Sequence, residues 1–274
     1  MAFLDRNVVI RIEQLKSELQ MEDDTATATW MYRRVGLDAE VVSPILFALE
    51  GRNRKVPSDL EMRAEINRAE KALQLTLPTA KVQRVDAAGR KALRRMLVDS
   101  EVARQGRIRF LMEVVPLIAN AQKPEARMPL VETMLALGAR CGISPVSFLM
   151  LAVLSCLFDG DAGLPGGTIY RPGRAILKPK ASYGLEEAYN AITDIFFLEL
   201  LANVYALPGS PDAVLYTTDK GLAAFWSALI PTNIKGEVTS ATLRRATLDL
   251  ELSAHLLPTL DEKGRLSLRR KLQA

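Results

Sequence analysis

Apolar residues fill most of the stretch from residue 191 to residue 207, and its length without Pro or Gly predicts a buried helix rather than a strand. A turn rich in Pro and Gly at residues 208–211 ends this helix. A short apolar run at residues 213–216 predicts a strand, and residues 221–229 return to the helical period. Asp219 stands between that strand and that helix. The pattern therefore predicts a carboxylate at the carboxyl end of a strand, where open α/β sheets hold their active sites.

The start of the chain shows the same arrangement. Residues 2–4 predict a short strand that ends at Asp5, and Asn7 follows two positions later. A helix is predicted over residues 8–19. Asp5 on its own has two interpretations, since it either caps this helix or belongs to a functional site. Two acids in one chain, each placed directly after a short strand, favour the functional interpretation.

A second short strand is predicted at residues 39–42. Ser43 and Pro44 then predict the start of a helix, with Ser43 as its cap and Pro44 in its first turn. The apolar residues 45–49 continue this helix, and Glu50 closes it. An acid at a helix C-terminus is unfavourable because of the helix dipole. Glu50 is therefore either an exposed helix end or a functional carboxylate.

The middle of the chain predicts a long helical block without an evident strand, although residues 108–115 are ambiguous between helix and strand. Helices are predicted over residues 58–75, 86–103, 108–120, 124–137 and 145–158. Residues 159–182 hold five Gly and three Pro and predict a loop, which is a lid, a nucleic-acid contact or a plain connection. The last predicted elements are a strand, a helix and a charged basic tail, at residues 234–238, 241–257 and 261–274.

Charge is distributed unevenly along the 274 residues. The net charge is only +4, yet residues 52–109 carry fifteen Lys and Arg against seven Asp and Glu. A basic segment of this kind favours a polyanion such as nucleic acid as partner. Solvated helix faces are the alternative explanation. The composition, 49% hydrophobic and 25% charged, is ordinary for a globular protein with ample material for a core.

Histidine and cysteine restrict the chemistry. His255 is the single histidine and lies in a Leu-rich helical pattern, which argues against a His-rich metal site and a Ser-His-Asp triad. Cys141 and Cys156 lack metal-ligand spacing, and we find no secretory signal, so we expect two buried thiols in a reducing cytoplasm. The uncharged residues 141–158 are interrupted by Gly and Pro near their start, so a core helix is favoured over a membrane span.

Four carboxylates stand out from this pattern: Asp5, Glu50, Asp194 near the start of the long buried helix, and Asp219. Carboxylates that lie close together repel one another, so burying them requires a cation, and oxygen ligands favour Mg²⁺ or Mn²⁺. Such a metal lowers the pKa of its bound water and stabilises charge on a phosphodiester. The residues alone leave open whether the four carboxylates meet in space.

The segments that carry these acids resemble the PIN-like nuclease superfamily. The first is Phe-Leu-Asp-Arg-Asn-Val-Val-Ile at residues 3–10, and the second is Ser-Pro-Ile-Leu-Phe-Ala-Leu-Glu at residues 43–50. The third is residues 190–201, which contain Asp194, and the fourth is residues 213–226, which contain Tyr-Thr-Thr-Asp. The order of these segments along the chain agrees with that family.

The resemblance implies an α/β fold with a short parallel sheet flanked by helices, and a large, mostly helical insertion. It implies a PIN-like domain at residues 1–55 and 185–260, a helical insertion with the Gly/Pro-rich loop at 56–184, and a basic tail at 261–274. It also implies an acidic pocket that binds Mg²⁺ or Mn²⁺. The implied metal-binding catalytic acids are Asp5, Glu50, Asp194 and Asp219, with Asn7 and Thr218 as the groups that orient them. Glu40 and Glu61 are alternatives to Glu50.

The favoured hypothesis is a cytoplasmic, metal-dependent endoribonuclease, either toxin-like or RNA-processing, that cleaves single-stranded RNA with a metal-activated water. The implied partners are single-stranded RNA or DNA, an antitoxin or another protein, and a second copy of the chain, with no membrane. The alternative is a catalytically inactive PIN-like protein that binds a protein or RNA partner through its helical block. A third hypothesis is a wholly helical regulatory protein.

Overall fold

The computed structural model of the protein describes residues 2–4, 7–10, 41–50, 56–76, 80–160, 162–163, 169–205, 214–229, 233–239, 242–249 and 252–273. The chain forms two compact units. Unit 1 comprises Met1–Glu101 and Gly209–Thr218, and unit 2 comprises Val102–Pro208 and Asp219–Ala274.

Helices account for most of the described residues. They are α1 (Ile45–Glu50), α2 (Asp59–Thr76), α3 (Ala87–Asp99), α4 (Glu101–Val114), α5 (Pro124–Arg140), α6 (Phe148–Leu157), α7 (Pro172–Leu177), α8 (Leu185–Tyr205), α9 (Lys220–Leu229) and α10 (Glu262–Gln273). A 3₁₀ turn at Val115–Ile118 follows α4, and residues 7–10 form one further helical turn. The strands are β1 (Ala2–Leu4), β2 (Val41–Ser43), β3 (Lys81–Val82), β4 (Ala162–Gly163), β5 (Ile169–Tyr170), β6 (Val214–Tyr216), β7 (Asn233–Thr239) and β8 (Thr242–Asp249).

Four short strands of unit 1 form one parallel sheet in the order β3-β2-β1-β6. β1 pairs with β2 through Ala2 and Val42, and it pairs with β6 through Leu4 and Tyr216. The strands predicted at residues 2–4 and 213–216 are confirmed. The predicted coarse fold is also confirmed, because the protein is an α/β protein with a short parallel sheet flanked by helices.

All three residues of β1 are buried, so both faces of this strand are covered, as is usual for a strand inside a parallel sheet. Ala2 and Leu4 lie two residues apart, so their side chains point to the same face, and both are fully buried. They share one apolar cluster with Phe47 of α1 and with Ala69 and Leu73 of α2. Ala69 and Leu73 are four residues apart and therefore lie on one face of α2. The apolar spacing of the sequence thus accounts for this helix-on-sheet contact.

The first half of α2 packs against α3 instead of the sheet. Met62 and Ile66 are fully buried, and Leu93 and Leu97 of α3 pack against them. None of the residues of α3 is itself buried, so the rest of this helix faces outward. α3 is consequently a surface helix that is fixed along one apolar stripe.

The core of unit 2 is built around α6, in which every residue is buried. Gly173 of α7 lies so close to α6 that a Cβ there would stand 2.5 Å from the carbonyl oxygen of Ala152. A Cβ at Gly221 of α9 would stand 2.6 Å from the carbonyl oxygen of Ala175 in α7. Both glycines therefore permit backbones to approach where no larger residue fits. None of the described helices has the length and apolar character that a membrane span requires.

The helix predicted over residues 241–257 is wrong. Thr242–Asp249 form β8, which pairs antiparallel with β7 from Asn233↔Asp249 to Thr239↔Thr242. The strand predicted at residues 234–238 is confirmed within β7. β8 forms because its backbone groups pair with β7, and such pairing overrides a local helical pattern. The basic tail, predicted without an element of its own, contains α10.

The loop predicted over residues 159–182 contains structure of its own. β4 and β5 pair antiparallel, and α7 follows them. Arg174 of α7 donates from Nε to Asp159 Oδ2 at 2.5 Å and from Nη1 to the carbonyl oxygen of Ala119 at 3.1 Å. The partners of Arg174 thus belong to unit 2 itself. The part of the predicted loop that forms α7 is a packed element of the core.

The predicted helical block also differs in detail. β3 lies within it and joins the sheet, although no strand was evident there. The predicted helix over residues 86–103 is two helices that are separated at Ser100, where the Ser100 hydroxyl donates to the carbonyl oxygen of Leu97 at 3.0 Å. The ambiguous residues 108–115 are helical.

Candidate functional site

The carboxyl edge of the parallel sheet is the candidate functional site of unit 1. β1 lies between β2 and β6, so the chain that passes from β1 through β2 to β3 returns to the opposite side of β1 at β6. In doubly wound sheets, ligands bind outside the carboxyl ends of the strands at such a reversal. Leu4 and Tyr216 are partners in the register and are the last residues of β1 and β6. These two strands therefore end together at this edge.

Four of the predicted site residues belong to unit 1, and the structure describes the side chains of two of them. Asp5 follows Leu4 in the sequence and lies outside the described residues. Glu50 is the last residue of α1, and its side chain likewise lies outside the described part. Asn7 is exposed and begins the helical turn at residues 7–10, and Thr218 is half-buried two residues after β6.

Asp219 caps α9. Its Oδ1 accepts a hydrogen bond from the backbone N–H of Leu222 at 3.0 Å, and its carbonyl oxygen accepts from Ala223 N at 3.1 Å. This is the bonding of an N-cap carboxylate, which satisfies an otherwise unpaired donor of the first turn. The other oxygen, Oδ2, lies 3.8 Å from Nζ of Lys178, a distance of an ion pair and longer than a hydrogen bond. Asp219 thus has a structural role that the sequence could not separate from metal binding.

Asp194 is half-buried on α8 in unit 2. Burial raises the pKa of Tyr183 above its ordinary value, and the nearby Cys156, Glu187 and Asp194 add to this rise. The Tyr183 hydroxyl donates to the carbonyl oxygen of Glu187 at 3.3 Å. Asp194 therefore lies near a neutral phenol.

The carboxylate of Glu187 is engaged in hydrogen bonds at the start of α8. It accepts from the backbone N–H of Gly184 at 3.0 Å and is bound by Lys180. The hydrogen bond from Lys180 is the largest cause of the lowered pKa of Glu187. Glu187 thus stabilises the N-terminus of this helix, where a negative charge is favourable.

Glu61, an alternative to Glu50, forms a capping box at the start of α2. The Glu61 N–H donates to the Ser58 hydroxyl at 3.3 Å, and the Ser58 N–H donates to Glu61 Oε2 at 2.8 Å. The hydrogen bonds from Ser58 lower the pKa of Glu61. Both groups serve the helix end, which favours Glu50 over Glu61 for the predicted role.

The predicted acids are divided between the two units. Asp5 and Glu50 belong to unit 1, and Asp194 and Asp219 belong to unit 2. Among the side chains that the structure describes, no group of three His, Cys, Asp or Glu could hold a metal ion. Asp5 and the side chain of Glu50 are outside that set, so the four-acid pocket stays a prediction.

Two polar side chains at the sheet edge were not predicted as site residues. Ser43 ends β2 and is 0% exposed, and within the described part of the chain its hydroxyl has no hydrogen-bond partner. The predicted cap by Ser43 is therefore wrong. Gln83 directly follows β3, and its buried Oε1 also lacks a partner among the described residues. Val42 pairs with Val82, so Ser43 and Gln83 occupy adjacent positions one residue further along. Ser43 directly follows the strand predicted at residues 39–42, whereas β3 was not predicted, so no signal in the sequence pointed to Gln83.

Comparisons with protein-family models, with curated proteins and with solved structures gave no significant match. The resemblance to the PIN-like superfamily therefore rests on the quoted segments of the sequence.

Proposed function

We propose that the protein is a metal-dependent endoribonuclease of PIN type that cleaves single-stranded RNA. The observation that carries this proposal is the parallel strand order β3-β2-β1-β6, with β1 and β6 ending in register at Leu4 and Tyr216. Asp5 is the next residue of the sequence after Leu4, and Asp219 follows Tyr216 by three residues. Acids in these positions follow the strands that flank the reversal of the sheet, which is where such folds act on ligands.

The donor set has the right chemistry for a hard divalent cation. Asp5, Glu50, Asp194 and Asp219 supply carboxylate oxygens, which Mg²⁺ and Mn²⁺ prefer. Asp219 engages one oxygen with the N–H of Leu222, while its second oxygen lies 3.8 Å from Nζ of Lys178. When bound, the metal supplies an activated water and stabilises charge on the phosphodiester. Asn7 and Thr218 are proposed to orient the acids.

The second candidate is a catalytically inactive protein that keeps this fold and binds an RNA or protein partner. The observation that favours it is the capping role of Asp219, because this role accounts for the acid without any metal. The two candidates differ in what an amide at position 219 does. An amide keeps the cap but removes the charge that a metal needs.

The deciding experiment is Mn²⁺-dependent cleavage of single-stranded RNA by the purified protein beside the variant Asp219→Asn. Asp86→Asn is the matched control, because Asp86 caps α3 through the N–H of Gly89 at 2.7 Å. We expect cleavage that requires Mn²⁺, falls by about a hundredfold or more in Asp219→Asn, and persists in Asp86→Asn. Undiminished cleavage by Asp219→Asn refutes the assignment of Asp219. Absence of cleavage by the wild type, together with absence of metal binding by calorimetry, supports the second candidate.

A further inference from the structure

The outer face of α3 carries a stripe of cations. Lys91, Arg94 and Arg95 lie within four residues of one another and are all exposed, around Val98, which is 47% exposed. At 3.6 residues per turn these four positions fall within about a third of the helix circumference. The opposite stripe of α3, with Leu93 and Leu97, packs against α2. Packing therefore fixes the direction in which the cations point.

The acids near this stripe leave most of its charge available. Asp86 is used as the cap of α3. Asp99 lies 3.7 Å from Arg95, but both side chains are more than two-thirds exposed, so the pair contributes little. Within the described residues, Lys91 and Arg94 have neither a hydrogen bond nor an ion pair from their side chains. The stripe therefore presents close to three positive charges to solvent.

The other basic helix of the chain is a weaker candidate. In α10, Lys271 binds Glu132 at 2.6 Å, and Arg265 donates to the carbonyl oxygen of Leu260 at 2.6 Å. The groove of about 280 Å³ beside α10 is lined by Glu262 as well as by Arg265 and Arg269. Its cations are thus partly engaged within the protein, in contrast to those of α3.

We propose that Lys91, Arg94 and Arg95 form a binding surface for the phosphate backbone of a single-stranded polynucleotide. Exposed cations on one helix face match a polyanion, and phosphate contacts supply the bulk of non-specific affinity for nucleic acid. An anionic membrane is the less favoured occupant, because the apolar stripe of an interfacial helix is here used for packing on α2. The inference rests on the proposed function for its choice of polyanion, and it deepens that function by naming the surface that holds the substrate.

The test measures binding of a fluorescently labelled oligouridylate by anisotropy in EDTA, with Asp219→Asn as the parent protein so that no cleavage occurs. The variant replaces Lys91, Arg94 and Arg95 together by Gln, which is a good helix former. The control replaces three exposed cations of unit 2, Arg109, Lys263 and Arg270, by Gln and so removes the same charge.

We expect the α3 variant to bind about tenfold or more weakly at 0.1 M salt, with the slope of log affinity against log salt reduced by about 2. We expect the control to bind within about threefold of its parent, because its cations lie outside the proposed surface. Circular dichroism of both variants verifies that the helices persist.

Four outcomes would overturn the proposal. They are unchanged binding by the α3 variant, an equal loss in the control, absence of binding by the parent at low salt, and binding to phosphatidylserine vesicles rather than to the oligonucleotide. Loss of binding in the α3 variant, combined with absence of Mn²⁺-dependent cleavage by the wild type, would keep this inference and reject the nuclease. The two proposals therefore fail separately.

Discussion

Ser43 and Ser155 are both buried serines, at 0% and 2% exposed, yet their surroundings differ completely. The Ser155 hydroxyl, in the core of unit 2, donates to the carbonyl oxygen of Leu256 at 2.8 Å and accepts from the N–H of Gly173 at 3.1 Å. The Ser43 hydroxyl, at the carboxyl edge of the sheet in unit 1, has no partner within the described residues. The Ser155 hydroxyl joins α7 and the segment around Leu256 to α6, whereas the Ser43 hydroxyl joins nothing within the described part of the chain.

The presence or absence of a hydrogen-bond partner separates Ser155, as part of the scaffold, from Ser43, as part of a candidate site. Buried polar groups in native proteins are nearly always hydrogen-bonded, and exceptions need a specific explanation. Ser155 follows the rule in a core that is packed on all sides. Ser43 and Gln83 depart from it at adjacent positions where β2 and β3 end. At Ser43 and Gln83 this departure lies at the edge of the sheet where chemistry is expected, so these two residues call for functional tests, whereas Ser155 calls for a stability test.

The largest effect is expected where the scaffold is tightest, for Gly173→Ala. The added Cβ would stand 2.5 Å from the carbonyl oxygen of Ala152 and 2.8 Å from the nitrogen of Cys156, and both are backbone atoms of α6. Since the backbone cannot move aside cheaply, we expect a loss of about 3 kcal/mol or more in the free energy of unfolding, measured with urea.

Gly142→Ala is the matched control for this substitution. Gly142 has a φ of +71°, but nothing lies within 4 Å of the position that an added Cβ would occupy. Its cost is therefore that of a left-handed residue, about 1 to 2 kcal/mol. Equal losses at the two positions would show that α7 and α6 are not in such close contact.

The second prediction tests the hydrogen bonds of Ser155. Ser155→Ala removes the hydroxyl that pairs with the carbonyl oxygen of Leu256 and the N–H of Gly173 in the buried core. We expect a loss of about 2 to 3 kcal/mol in the free energy of unfolding, from the same urea measurement. A loss below about 0.5 kcal/mol would mean that the Ser155 hydroxyl is no better satisfied than the Ser43 hydroxyl and would remove the contrast between the two serines.

Gly173 also shows what the sequence could and could not reveal about the fold. A Gly next to Pro172 is a loop signal, whereas here it permits the contact of α7 with α6. The spatial partner of a residue is not visible in local spacing. By contrast, β1, β6 and α9 were predictable, because short apolar runs and the helical period are local signals.

The candidate site was predictable in position but not in role. Asp219 was placed correctly between β6 and α9. However, a cap and a metal ligand require the same residue type at the end of a strand, so the sequence could not show that Asp219 caps α9. Ser43 was predicted as a cap because Ser-Pro favours a helix start, while the structure leaves its hydroxyl in β2 without a partner among the described residues.

The third prediction concerns pH and a satisfied polar group of unit 2. Burial raises the pKa of Tyr183, so the folded protein favours the neutral phenol. Below the ordinary tyrosine pKa of about 10, the phenol is neutral in both states and the stability is fully present. As the pH rises above about 10, only the unfolded state ionises, and stability is lost.

We expect Tyr183→Phe to lose less stability than the wild type between pH 9 and pH 10.5, by about 0.5 to 1 kcal/mol, measured by urea unfolding at both pH values. Identical pH profiles of the two proteins would show that Tyr183 ionises normally and that its surroundings are more open to water than the structure indicates.

The smallest effect on stability is expected for Ser43→Ala. Removing a buried hydroxyl that has no partner among the described residues leaves no group there unsatisfied and avoids the cost of keeping that hydroxyl out of water. We expect a free energy of unfolding within about 0.5 kcal/mol of the wild type, against a clear loss in Ser155→Ala. A loss above about 1 kcal/mol would show that the hydroxyl is bonded in solution. The same variant in the RNA cleavage assay sharpens the comparison, because reduced cleavage at unchanged stability would assign the Ser43 hydroxyl to the site rather than to the scaffold.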